Sequence, residues 1–423
     1  MKKILMVAAA ALLTLGAWAT NPILTAMPSM SITPDARGGG MGDLGTCTTP
    51  DMNNNYWNVA KWAFMDQKGG VSANYTPWLR KIVSDINLAH LEGWYNISDK
   101  AGAVSASFTY FKMGEVAIYD GTWDPSGTEG MTSSGTAYPN EWAIDLGYSR
   151  KLHDYVSMGV ALRFLYSDLN NGYSSSTSGT SEVYKAAWTM AADLGLYYSQ
   201  PIDVNVLHST QTSYFRLGFT LKNLGGKMAY TDRNSNFIPT SMNLGLSYEL
   251  PFDKYNKLTF NIEAHKYLVP TKKSKSVTYE TAANPNLWDE NTHQIKPENI
   301  DNEDAYTLTE EAFSDISAVK GIFLSFHDAP GGAIEELKEI NVGCGLEYTY
   351  NRQFFGRVGY SHEDRTKGNR RLFEIGAGFH LSIVNFDVAY TVAAASNPLD
   401  QTMRFTLGFD IAGIKDIVNN RRK

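Results

Sequence analysis

The stretch EWAIDLGYS, Glu141 to Ser149, alternates without a break: Trp142, Ile144, Leu146 and Tyr148 fall on one face, and Glu141, Ala143, Asp145, Gly147 and Ser149 on the other. A side-chain period of two predicts a β-strand whose faces meet different surroundings. The pattern recurs at Met242 to Leu250, where Met242, Leu244, Leu246, Tyr248 and Leu250 oppose Asn243, Gly245, Ser247 and Glu249. Leu372 to Leu381 and Thr402 to Ile411 repeat it. Segments of this kind fall near 69–78, 85–97, 101–118, 138–151, 155–169, 185–199, 213–224, 239–250, 257–269, 338–350, 353–363, 371–382, 384–394 and 401–412, which makes fourteen.

A soluble antiparallel sandwich also alternates, with its polar faces turned to water. The extent of the pattern, the aromatic residues at strand ends, and a last strand MRFTLGF (Met403 to Phe409) like those that close outer-membrane barrels favour the membrane instead. The expected fold is all-β: a 14-stranded antiparallel transmembrane β-barrel with an N-terminal plug segment and a long external loop containing short helices. An even strand count returns both ends of the wall to the periplasmic side. The odd-to-even connections should then be external, and they are the long ones, Pro270 to Leu337 above all. The even-to-odd connections are hairpins, with Pro201 to Thr212 of intermediate length.

Lys2-Lys3, an apolar run from Ile4 to Leu15 and Ala17-Trp18-Ala19 read as a cleavable secretory signal over 1–19. The expected organisation continues with a plug over 20–68, the barrel over 69–412 with its loop at 270–337, and a periplasmic tail over 413–423. A formal net charge of −7 argues against nucleic acid as a partner, and two cysteines, Cys47 and Cys344, against a disulfide framework. Cys344 alternates with the lipid-facing residues while Cys47 belongs to the plug, so the two should not pair.

The loop 270–337 carries 13 acidic residues against 5 lysines and is more acidic than the whole chain. Thr307-Leu308-Thr309-Glu310 reads as a capping box opening a short helix with Phe313, Ile316 and Val319 on one side, stopping at Gly321. The following SFHDAPGG contains Phe326, Asp328, Pro330, Gly331 and Gly332, and a second helical stretch comes after it. Phe313, Ile322, Phe323 and Phe326 are too apolar for an idle solvated loop, and loops of this length usually serve a function. Together with Asp328, Pro330, Gly331 and Gly332 they are the candidate partner-binding residues.

Before the first strand, Tyr56, Trp57, Trp62 and Phe64 place four large aromatics in nine residues. Such a cluster gains little unless buried, which favours a segment folded back into the lumen. The same segment holds Pro34, Asp35, Arg37, Gly38, Gly39, Gly40, Met41, Gly42 and Asp43, and Gly40-x-Gly42-x-x-Gly45 matches a dinucleotide-loop pattern. It lacks the preceding buried strand and the following helix that such a loop requires. Its glycines fit a chain passing close to an inner wall that is itself rich in glycine, with Asp35, Arg37 and Asp43 pairing with wall charges such as Arg404 or Glu374. No cofactor or metal is expected, because the histidines show no ligand spacing. Ser382 and His380 share a face, yet the sequence offers no acid to orient them, so catalysis is not expected.

These residues carry a family likeness. SITPDARGGGMGDLGTCTTPDMNNNYWNVAKWAF, Ser31 to Phe64, resembles the N-terminal signature of the PorV (LptO) family, outer-membrane barrels of the Bacteroidota type IX secretion system, and the likeness continues to MRFTLGF. SFHDAPGG is similar to that family too. The family in turn resembles FadL-like channels, whose plug carries Asn-Pro-Ala where this chain reads Asn58-Val59-Ala60. The resemblance implies a non-enzymatic outer-membrane protein that accepts cargo bearing C-terminal signal domains from the type IX translocon barrel. It would deliver that cargo to an attachment complex in which a PorU-like sortase joins it to lipopolysaccharide. The alternative is a FadL-type transporter of hydrophobic small molecules.

Overall fold

The computed structural model describes residues 23–120, 132–171, 185–206, 209–231, 235–271, 285–292, 296, 298, 315–329, 331–381, 383–394 and 397–411. The signal segment, the capping box at Thr307, Phe313, Pro330, Ser382 and the tail 413–423 lie outside them.

Strands β1 (Gly69–Pro77), β2 (Asn87–Ser98), β3 (Gly102–Lys112), β6 (Asn140–His153), β7 (Val156–Asp168), β8 (Ala187–Val206), β9 (Ser209–Gly225), β10 (Ser241–Pro251), β11 (Asn256–Tyr267), β12 (Ile340–Tyr350), β13 (Phe354–His362), β14 (Arg371–His380), β15 (Val384–Ala393) and β16 (Met403–Asp410) form the wall. Each pairs antiparallel with its neighbours, and β1 with β16 closes the barrel. A separate hairpin of β4 (Val116–Asp120) and β5 (Thr132–Ala137) stands off the wall.

Exposure along β6 decides between sandwich and membrane barrel. Ile144, Leu146 and Tyr148 are 44%, 63% and 44% exposed, whereas Glu141, Asp145 and Ser149 are 1%, 2% and 0% exposed. Apolar side chains face out and charged ones face in, which suits a wall with lipid outside and a polar lumen inside.

Two elements of the wall differ from the sequence expectation. The strand expected over 101–118 ends at Lys112, because Gly114 takes a left-handed φ of +88° and Glu115 N–H turns to donate to Asp85 at 2.8 Å. The intermediate connection Pro201 to Thr212 is not a loop: β8 and β9 run on past the wall and pair as far as Val206 and Ser209.

The chain enters at the end that carries the long connections. Ala26 N–H donates to the Phe237 carbonyl at 2.7 Å, between β9 and β10. From there it runs down the lumen to Gly69 at the short-turn end. Its residues join each of the three buried apolar clusters: Ala26, Met27 and Met30 with Leu165 and Ile238; Ile32 with Leu88 and Phe111; Met52, Val59, Trp62 and Met65 with Trp94 and Ala161. Among the described residues, each of these clusters includes side chains of this segment.

Candidate functional site

The glycine-rich stretch is folded around one indole and pressed on the wall. A methyl group at Gly38 or Gly45 would overlap the ring of Trp57. One at Gly39 would strike the Arg404 side chain, and one at Gly40 would fall 3.1 Å from Gly376 Cα. Gly42 has φ +92°, and its Cβ would lie 2.7 Å from the Cys344 carbonyl oxygen and 2.9 Å from that of Tyr360. Wall glycines answer from the other side: side chains at Gly343, Gly345 and Gly359 would collide with the backbone of Met41 and Gly42. Glycine therefore serves close backbone approach here, and no nucleotide fold surrounds it.

The irregular segment leaves backbone donors that a helix or sheet would have satisfied, and wall carboxylates accept them. Glu374 takes Gly42 and Asp43 N–H at 2.5 and 3.1 Å, Glu263 takes Gly45 and Thr46 N–H at 3.0 and 2.9 Å, and Glu92 takes Asn55 N–H at 2.5 Å. Thr406 accepts from Ala36 N–H at 2.9 Å, beside Pro34 and Asp35, and Thr76 donates to the Pro34 carbonyl at 3.2 Å.

Arg37 is the main ionic anchor. Its guanidinium donates to both oxygens of Glu347, at 3.0 and 2.8 Å, and to Asp51 at 2.7 Å. The network continues through Arg357, 2.7 Å from Glu347 and 2.5 Å from Asp387, to His380, 3.2 Å from Asp387. Asp43 pairs with Arg404 at 3.4 Å. Asp35 does not reach a wall charge. It accepts from Trp57 Nε1 at 2.7 Å and from Gly38 N–H at 2.8 Å, because the loop closes on itself around the indole.

Asn58 caps a 3₁₀ helix, Val59–Phe64, by accepting from Ala60 N–H at 3.1 Å, and donates to the Thr46 and Leu196 carbonyls. Its side chain fixes this turn without a following proline. Trp62 stacks on Trp94 of β2 with ring centroids 4.8 Å apart, and Lys222 Nζ lies 4.0 Å from the centre of the Tyr56 ring. Cys47 is buried, Cys344 is exposed on the outer wall, and both are free.

In chain order, α1 (Asn54–Trp57) in the lumen is followed by α2 (Ala318–Leu324) and α3 (Ala333–Lys338) on the long loop, at the rim that carries the long connections. Ser317 caps α2, and the helix continues through Gly321 instead of stopping there. Lacking a side chain, Gly321 lets the helix rest on Phe237 and Pro270. Ile322 is half-buried, while Phe323 and Phe326 are 69% and 47% exposed. Val319, Ile334 and Leu337 are exposed as well. Gly332, at φ +68°, turns the chain into α3, and Gly331 N–H donates to Glu335 at 2.6 Å.

The base of this loop is ionic. Lys266 meets Glu336 and Glu339 at 3.1 and 2.6 Å, and Lys367 meets Glu335 and Glu339 at 2.6 and 3.0 Å. Burial pushes Glu339 upward, but hydrogen bonds from Lys266, Thr271 and Lys367 outweigh it and hold the carboxyl below its ordinary range. Burial pushes the Asp328 carboxyl up to about 6, opposed by the Thr271 N–H bond and reinforced by Glu336 and Glu339. Charges thus clamp the loop to the rim while its apolar side chains face outward. Beside it, a cavity of about 600 Å³ is lined by Ile23, Ile32, Trp78, Ile82, Phe111 and Leu399, with Glu339 and Lys367 at its edge.

The sequence reading missed Glu92, Lys222, Arg357 and Asp387 as partners within the lumen. Glu92 lies two residues from His90 and from Trp94 in β2, so period two was the signal that could have found it. Asp387 supplies the acid beside His380 that the sequence did not reveal, but it also neutralises Arg357 and belongs to the anchoring network.

No curated protein matches the chain. Among solved structures, the Ralstonia pickettii toluene transporter TbuX is 12% identical with a TM-score of 0.44, covering 89% of this chain and 97% of that one. The Pseudomonas putida toluene transporter TodX is 11% identical with a TM-score of 0.46, covering 88% and 95%. A Pseudomonas aeruginosa FadL homologue is 12% identical with a TM-score of 0.42, covering 93% and 100%. The family model described as type IX secretion system protein PorV matches residues 17–274, more than half of the chain. The chain therefore belongs to the PorV family and is an outer-membrane β-barrel of type IX secretion.

Proposed function

We propose that this protein accepts cargo bearing C-terminal signal domains from the translocon barrel and passes it to the surface attachment complex with its PorU-like sortase. The observation that carries this reading is the division of labour between lumen and rim. The lumen is occupied by a segment bound through buried ion pairs, while the rim presents Phe323, Phe326, Ile334 and Leu337 on an ionic base. Exposed aromatic clusters of this kind suit a protein partner. Residues 20–68 act as a fixed plug in this account, and the loop residues Ile322, Phe323, Phe326, Asp328, Gly331 and Gly332 form the cargo face.

Affinity purification from the native envelope tests the reading. Phe323→Asp with Phe326→Asp is expected to lower cargo recovery by at least tenfold while the barrel still assembles. Unchanged recovery overturns the assignment of this face. The rim cavity with its apolar lining favours a second reading, transport of a hydrophobic small molecule. Loss of fatty-acid uptake with normal secretion in a deletion strain would select it.

A further inference from the structure

The rim cavity of about 600 Å³ adjoins a second one deeper in the lumen. Ser31, Ile32, Trp78, Tyr267, Arg370 and Leu399 line both. The inner cavity, of about 140 Å³, reaches Gly42, Asp43, Tyr56 and Trp57, so the plug is its floor. The two differ in chemistry. Trp78, Ile82, Ile86, Phe111, Met113 and Leu399 give the outer one a mainly apolar lining, and its size is that of a small-molecule pocket. Around the inner one stand Asn223, Ser241, Asn243, His265, Ser361 and His362. From the rim inward the surroundings are therefore first apolar and then polar, which is the order an amphiphile requires.

The inner lining also fixes the charge of the head. With the histidines counted as neutral, three acidic residues (Asp43, Glu263 and Glu363) face three basic ones (Lys222, Arg370 and Arg404). Arg370 pairs with Glu363 at 2.8 Å and Arg404 with Asp43 at 3.4 Å. Glu263 accepts from Gly45 and Thr46, and Lys222 Nζ donates to the Tyr56 carbonyl at 2.5 Å. A carboxylate entering this balanced set would be a buried charge without a counter-ion. A hydroxyl both donates and accepts, and Ser361 Oγ is buried here without a hydrogen-bond partner. A cavity of ~150 Å³ holds a molecule of benzene's size, which limits the head to roughly that of glycerol.

We infer that the two cavities together bind one single-chain amphiphile with a small, uncharged, hydroxyl-bearing head, the head resting on the plug and the chain in the rim cavity. Selectivity comes from the charge balance of the inner lining, and the chain contributes apolar burial. The inference shares the rim cavity with the transport reading but requires binding alone. It stands or falls on the purified protein, whatever becomes of the cargo and uptake readings.

Native mass spectrometry of the full-length protein held in amphipol tests it, by titration at pH 7 with 1-decanoylglycerol and, separately, with decanoate. One 1-decanoylglycerol should bind per chain, at least about tenfold more tightly than decanoate. Leu399→Trp, which fills the junction of the two cavities, should weaken binding by about tenfold or more. Ser361→Ala removes a partner of the head and should weaken 1-decanoylglycerol by about fivefold while leaving the binding of 1-bromodecane unchanged. Heat-modifiable gel mobility confirms that each variant is folded, and the preference of the parent protein needs no variant. Absence of bound 1-decanoylglycerol, decanoate binding as tight or tighter, several equivalent copies per chain, or affinity unaltered in Leu399→Trp overturns the inference.

Discussion

Replacing Arg37 with methionine keeps most of its volume and removes the charge on which Asp51 and Glu347 converge. Breaking a buried pair by removing one partner costs about 3–5 kcal/mol, because the other charge is left uncompensated. Glu347 keeps Arg357 at 2.7 Å, so the lower end of that range applies and Asp51 bears most of the loss. About 3 kcal/mol at ~1.4 kcal/mol per decade is roughly a hundredfold rise in the population of the released segment. Hydrogen exchange reads this directly, since the Gly42, Gly45 and Thr46 amides are held by Glu374 and Glu263. They should exchange about a hundredfold faster, while wall amides such as Leu246 keep their rate. Adding Asp51→Asn to Arg37→Met removes the stranded carboxylate and should recover part of the protection. An exchange rate within twofold of the parent, or no recovery in the double variant, would refute the idea that buried charge holds the segment.

Trp57→Ala empties the space around which Gly38 and Gly45 fold and should cost about 3–5 kcal/mol, read as lost protection at Gly38. Gly42→Ala meets both the left-handed φ and two wall carbonyls, whereas Gly356 has open space around it. The first should lower the yield of assembled barrel and Gly356→Ala should leave it unchanged, as judged by heat-modifiable gel mobility. The Asp328 carboxyl, raised in the folded state from 3.8 to about 6, penalises folding progressively as pH rises through that interval. Docking of the loop should therefore tighten as pH falls from 7 towards 5. It should weaken again below about 4.5, where Glu339, depressed in the folded state, loses its charge. Protection of the Thr271 amide, which donates to Asp328, reports this, and Asp328→Asn should abolish the step near pH 6. A maleimide should label Cys344 in the folded protein in detergent and reach Cys47 only after unfolding. Two labels on the folded barrel would contradict the packing of Cys47.

The wall was legible in the sequence because a barrel strand has two chemically different faces, and Glu141 to Ser149 displays both in nine residues. That the long connections gather at one end and the hairpins at the other followed from their lengths. Backbone detail that a single residue decides was not: Gly114 ends β3 with a left-handed turn, and Gly321 continues a helix in which a glycine usually reads as a stop. The extended ribbon was hidden because Pro201 and the hydroxyl residues after it resemble loop composition. In the lumen, residue types foretold ion pairing but not the pairs. Asp35 shows why. Whether it meets Arg404 or Trp57 depends on the path of an irregular chain, and no periodicity encodes that path.

The most direct test of the central claim is a deletion strain scored for two quantities at once, periplasmic accumulation of cargo with type IX signal domains and uptake of a radiolabelled long-chain fatty acid. The account predicts trapped cargo with uptake at the parental rate. Parental secretion with lost uptake would contradict it and make the barrel a conduit for small apolar molecules.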